Sequence, residues 1–243
     1  MNNLASADIA QPIFRDFHDA QDLYATLADD IAARLTAGVA RNGRAGFVVS
    51  GGTTPGPLYD VLATRQAPWE DVSIALSDER WIDPGSERSN EHLARTRLVT
   101  GNAARAHLVP MKTAQARPRD AQRAINAAIA AMPRPFDAVL LGMGIDGHTA
   151  SLIPGAAGLA AALDRSDPAL VRAIDPPDLA AMGERMTLTL RAILDTRWIA
   201  ILIRGEAKLD AYKRALAGSD ALGAPICAVL HQAGVPVSVF WSA

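Results

Sequence analysis

The chain has 243 residues, with 24 Lys and Arg against 26 Asp and Glu, and 49% of its residues are apolar. The net charge of −2 excludes a basic nucleic-acid or membrane-surface binder, so an anionic ligand must meet a local cluster of cations. The single cysteine, Cys227, excludes an intrachain disulfide and any cysteine-built metal cage. No apolar run approaches the ~20 residues that span a bilayer. The opening MNNLASADIAQPIFRDF lacks the basic start and long apolar run of a secretory leader. The expectation is one cytoplasmic globular domain.

Taken in chain order, Leu23, Leu27, Ile31 and Leu35 recur every four residues and predict an amphipathic first helix that ends at Asn42-Gly43. Residues 45–50 read as a short buried strand, followed by a Gly/Thr/Pro turn and a helical stretch around LYDVLATR. Residues 72–77 are a second strand, and a helix is expected near 91–98. An Ala-rich helix covers about 120–131 until Pro133 and Pro135 stop it, and 136–142 is a third apolar strand. Residues 185–190 read as a strand running into a helical turn, and 198–203 as a further strand. GEAKLDAYKRALAG is helical with Gly218 as its stop, and 235–240 closes the chain as a strand. Apolar strands alternating with amphipathic helices predict an α/β domain, a mostly parallel sheet covered on both faces. The stretch from Gly155 to Gly183, rich in Ala, Asp and Pro, fits no element and is expected to form a lobe or lid.

In open parallel sheets ligands lie beyond the C-terminal ends of the strands, and three of these strand ends carry unusual chemistry. In SGGTTPG, Gly51 and Gly52 permit a tight turn whose N–H groups face an anion, and Thr53 and Thr54 add hydroxyls. As a plain strand-to-helix turn it would instead be a threonine cap with Pro55 at the first helical position. In SDERWIDPGSERSN, the charges Asp78, Glu79 and Arg80 follow an apolar strand directly. They are either a solvated strand end, with Ser89 or Asn90 capping the next helix, or they present a guanidinium to an anion. LLGMGIDGHTASLIPG matches G-x-G-x-x-G through Gly142, Gly144 and Gly147. Pro154-Gly155, however, leaves no room for the long helix of a dinucleotide site. Its glycines instead present Asp146 and His148 to a cleft, while His18, His92, His107 and His231 read as structural or exposed. No H-E-x-x-H pair or cysteine cluster completes a metal site, and no G-x-S-x-G elbow marks a serine hydrolase. General acid–base work by an imidazole, which titrates near neutrality, is what remains. Arg185 and Lys208 are candidate cations downstream; read alone, each is an ordinary surface charge.

These segments, together with RMTLTL and GEAK, occur in the order seen in the 6-phosphogluconolactonase family, which the chain resembles from about 14 to 240, most specifically at D-G-H-T-A-S-L. The resemblance implies a single Rossmann-like α/β domain that hydrolyses 6-phospho-D-glucono-1,5-lactone to 6-phosphogluconate in the pentose phosphate pathway, without cofactor, metal or required protein partner. It implies that His148 is the catalytic base, with Arg80 and Asp146 beside it. It also implies that Gly51, Gly52, Thr53, Thr54, Asp78, Asn90, Arg185 and Lys208 meet the substrate. Ile153 stands where the lactonase pattern usually has phenylalanine. The related glucosamine-6-phosphate deaminases resemble the chain in fold, but they place glutamate at that position and prefer tyrosine where Arg80 stands. A non-catalytic sugar-phosphate sensor on this fold would be expected to carry a helix-turn-helix, for which the residues before the first helix leave no room.

Overall fold

The computed structural model describes residues 11–243. The start of the N-terminal segment read above for a leader, residues 1–10, lies outside the described residues. Ten strands and nine α-helices follow in chain order among them. The strands are β1 (Ile13–Phe17), β2 (Ala45–Val49), β3 (Val72–Leu76), β4 (Asp78–Arg80), β5 (His107–Val109), β6 (Ala138–Gly142), β7 (Val171–Ile174), β8 (Arg185–Leu188), β9 (Ile199–Arg204) and β10 (Val237–Ser242). The helices are α1 (Ala20–Asn42), α2 (Gly56–Leu62), α3 (Asn90–Leu93), α4 (Pro118–Ala130), α5 (Leu159–Leu163), α6 (Leu179–Met182), α7 (Leu190–Leu194), α8 (Glu206–Ala217) and α9 (Cys227–Leu230). No helix among the described residues is long and apolar enough to cross a membrane.

Seven strands form one sheet in the order β1-β10-β9-β6-β2-β3-β5, and every pairing in it is parallel. All five residues of β2 are buried, so both faces of the sheet centre are covered and an apolar run rather than an alternation encodes the strand. Helix α1 supplies part of that cover. Leu23, Leu27, Ile31 and Leu35 are fully buried along one stripe, Asp19 caps the first turn, and Gly43 at φ 71° closes the last in the left-handed conformation.

A second, three-stranded antiparallel sheet in the order β4-β8-β7 departs from the expectation of one sheet. Only Ser77 separates β3 from β4. Its N–H donates to Val49 O in the main sheet (2.7 Å), and its carbonyl accepts from Leu188 N in the small one (2.8 Å). The Asp-Glu-Arg run is therefore a paired strand and not a solvated strand end. The Gly155 to Gly183 stretch is a lobe built of α5, β7 and α6, and β7 ties it into the small sheet.

Strands β1, β4, β5 and β7 escape the sequence reading, and all four lie at sheet edges. An edge strand is buried on fewer sides, so IFRDF keeps exposed positions and shows no apolar run. The ends of the last strand also differ: Val237–Ser242 is observed against the expected 235–240. After Gly147 the chain makes turns, and the next helix starts only at Leu159, as the Pro154-Gly155 argument requires.

At the N-terminal end of the strands, buried Asp137 accepts from Gly46 N (3.0 Å) and Arg41 Nη1 (3.1 Å), using one oxygen for each. Asp137→Asn turns one acceptor into a donor facing a donor. Urea unfolding is expected to show a loss of about 2 kcal/mol, the scale for a hydrogen bond to a charged group; an unchanged midpoint would remove this contact from the fold's support.

Candidate active site

The C-terminal ends of β2, β3, β6 and β9 open into a cleft of about 530 Å³. It lies where the chain leaves β2 toward one side of the sheet and β6 toward the other, the crevice in which open α/β sheets bind ligands. Every residue expected to act on the substrate lines it: Gly51, Gly52, Thr53 and Thr54 after β2, Asp78, Arg80 and Asn90 from the small sheet and α3, Asp146 and His148 after β6, then Arg185 and Lys208. None of the other four histidines does.

Asp146 Oδ1 lies 2.6 Å from His148 Nδ1 and also accepts from the His148 backbone N–H at 3.1 Å. Burial raises the Asp146 carboxyl, but the neighbouring imidazole and the hydrogen bonds from His148 outweigh it, so the group titrates below the ordinary carboxylate value. Asp146 stays an acceptor, which assigns the proton of a neutral His148 to Nδ1 and leaves Nε2 with its lone pair. Gly144 makes room for this pair: a Cβ there would lie 2.2 Å from His148 Nδ1 and 2.5 Å from Asp146 Oδ1.

In β4 the side chains alternate. Glu79 points away from the cleft and is fully buried. Its carboxylate accepts from the backbone N–H groups of Arg80, Asn90 and Glu91 and from Ser89 Oγ, at 2.7–2.9 Å. Burial pushes this carboxyl up and the four donors pull against it. Glu79 thus fixes the start of α3 and with it Asn90, whose Oδ1 accepts from Arg80 Nη1 at 2.9 Å; the same Nη1 donates to Arg88 O at 2.7 Å. Gly51 lets Asn90 approach, since a Cβ there would meet Asn90 Oδ1 at 1.9 Å.

Arg80 and Arg185 are direct partners across β4 and β8, a like-charge pairing that costs stability unless an anion joins it. Arg185 is 12% exposed, and its nearest carboxylate oxygen, on Asp78, is 3.8 Å away. Its Nε is buried without a hydrogen-bond partner among the described residues. Burial lowers its affinity for the proton, only partly offset by Asp78. Lys208, in the first turn of α8, reaches Thr54 Oγ1 at 3.5 Å and has no carboxylate partner among the described residues; burial pulls its ammonium down. The cleft therefore holds cations stripped of water without full counter-charge.

The family model for glucosamine-6-phosphate isomerases and 6-phosphogluconolactonase matches residues 18–241. The chain belongs to this family. A 6-phosphogluconolactonase of Mesorhizobium japonicum is 42% identical over 227 residues, covering 93% of each chain. One from Caulobacter vibrioides is 40% identical over 230 residues, covering 93% of this chain and 95% of its own. The crystal structure of a 6-phosphogluconolactonase from Shewanella baltica superposes with a TM-score of 0.93 at 40% identity, covering 97% of this chain and 99% of the other. A monomeric glucosamine-6-phosphate deaminase superposes at 0.74 with 17% identity, a likeness of fold alone.

In this member of the glucosamine-6-phosphate isomerase and 6-phosphogluconolactonase family, the expected residues divide into two kinds. His148, Arg80, Arg185, Lys208 and the Gly/Thr loop turn chemistry toward the cleft. Asp78 and Asn90 also line it but are buried, and their polar atoms are spent within the protein: Asp78 accepts from Ser77 Oγ (3.1 Å), Ser151 Oγ (2.5 Å) and Asn90 Nδ2 (3.3 Å). They hold Arg80 and Arg185 in place. Sequence reasoning missed Glu79 as a buried anchor; the signal was an acid sandwiched between two charges and followed ten residues later by a Ser-Asn cap.

Gly144→Ala should push the imidazole off Asp146. In proton NMR the downfield signal of a carboxylate-bound Nδ1–H is expected in the parent and lost in the variant; its retention would show that the loop absorbs a Cβ.

Proposed function

We propose that the protein hydrolyses 6-phospho-D-glucono-1,5-lactone to 6-phosphogluconate, with His148 as general base on water. The observation that carries this reading is one cleft lined by an imidazole oriented through Nδ1 and by desolvated, under-neutralised cations. Full-length relatives at 33–42% identity named for this activity support it. On this reading the enzyme works in the cytoplasm within the oxidative pentose phosphate pathway, on a small molecule, with no cofactor or protein partner.

A lactone carbonyl is already electrophilic, so hydrolysis needs neither a covalent intermediate nor a metal. Nε2 takes a proton from water as its oxygen bonds to the carbonyl carbon and the carbonyl electron pair moves onto oxygen. The imidazolium, stabilised by Asp146, then returns the proton to the ring oxygen as the ester bond breaks. Such acid–base work contributes ~10²–10⁴-fold. Arg80, held in place by Asn90 and the Arg88 carbonyl, faces the developing oxyanion, a term of about 3–4 kcal/mol for a well-placed donor. The dianionic phosphate supplies the counter-charge that Lys208 and Arg185 lack, and the Gly/Thr loop offers N–H and hydroxyl donors. Remote binding energy then places the carbonyl against the base.

His148→Ala should bind the phosphorylated substrate but lose ~10²–10⁴ of kcat above the spontaneous hydrolysis; a kcat near that of the parent rejects this base. Lys208→Ala should leave kcat nearly intact and raise KM about tenfold or more, the worth of one charge-assisted hydrogen bond. Ammonia release from glucosamine 6-phosphate at comparable kcat/KM would move the protein to the deaminase branch.

A further inference from the structure

Ser151 lies three residues beyond His148, is fully buried, and lines no part of the cleft. It is tied twice to the small sheet: its Oγ donates to Asp78 Oδ2 at 2.5 Å, and its backbone N–H donates to Thr187 Oγ1 at 3.2 Å. Asp78 and Thr187 are themselves register partners across β4 and β8, on the strands that carry Arg80 and Arg185. Ser151 therefore joins the loop of the imidazole to the platform of the two guanidiniums.

One of the two residues between His148 and Ser151 is under strain. Ala150 has φ 50°, the single non-glycine residue with positive φ among the described residues. Alanine in the left-handed region is unfavourable and persists where its surroundings over-determine it. Here the turn is bracketed on one side by Ser151. On the other, Thr149 Oγ1 donates to Gly142 O at 2.8 Å and Gly144 N donates to His148 O at 2.9 Å.

We propose that Ser151 is a positioning residue for the reaction, clamping the left-handed turn at Ala150 to Asp78 and Thr187 and so setting the His148 ring relative to Arg80 and Arg185. The clamp rests on the reading of His148 as the base. A residue that merely supported the fold would lower stability and leave turnover per folded molecule unchanged. A positioning residue lowers kcat while Lys208 and the Gly/Thr loop keep their hold on the phosphate.

Steady-state kinetics on Ser151→Ala, the double variant Ser151→Ala with Ala150→Gly, Thr187→Val and His148→Ala separate these cases. Ser151→Ala is expected to lose about 10²-fold in kcat, the scale of a 1 Å misplacement, with KM within about threefold. Glycine takes the left-handed conformation without strain, so the double variant is expected to regain about tenfold. Thr187→Val, which keeps the side-chain shape and cuts the other tie, should shift kcat in the same direction and serves if Ser151→Ala does not fold. A folded Ser151→Ala with parental kcat, a double variant no faster than the single one, or a Thr187→Val with parental kcat overturns the clamp. If His148→Ala is inactive in that event, the clamp alone falls; if His148→Ala turns over normally, the assignment of the base falls with it.

Discussion

Positive charge held out of water without matching negative charge governs the cleft. Arg185 and Lys208 are both pulled toward deprotonation by burial, and Arg185 also faces Arg80 across two strands. The fold tolerates this because Asp78 offsets part of it and because Glu79, on the opposite face of β4, fastens the strand and the start of α3 with four hydrogen bonds. Stability is spent on one face of a three-residue strand and regained on the other, the pattern expected where function and folding conflict.

The imidazole depends on a different device, close backbone approach. Gly144 gives up a side chain so that Asp146 and His148 can fold back on the loop, and Asp146 bonds both the ring and the His148 backbone N–H. Orientation and loop shape are thus two effects of one carboxylate. In the match to the dinucleotide fingerprint, Gly144 answers to this packing, and Gly147 to a left-handed turn at φ 81° packed on Ala224.

Much of this was legible in the residues, and the exceptions share a cause. Helix α1 shows itself through Leu23, Leu27, Ile31 and Leu35, and the central strands through short apolar runs, because two-sided burial writes itself into composition. Strands β1, β4, β5 and β7 sit at sheet edges, where half-exposed backbone leaves no such mark. In the site, residues with unusual charge or lone catalytic chemistry stood out, whereas Glu79 and Ser151 did not. Their importance lies in buried hydrogen bonds to partners ten to seventy-three positions away, which no local pattern reports.

The cleft has two walls, one on the parallel sheet and one on the antiparallel sheet, and β3 passes into β4 through Ser77 alone. That residue hydrogen-bonds to both sheets. With no linker at this crossing, one residue's backbone couples the two walls, so a displacement of either is felt directly by the other. The placement of Arg80 and Arg185 on one wall is thereby made dependent on the parallel sheet that carries the other.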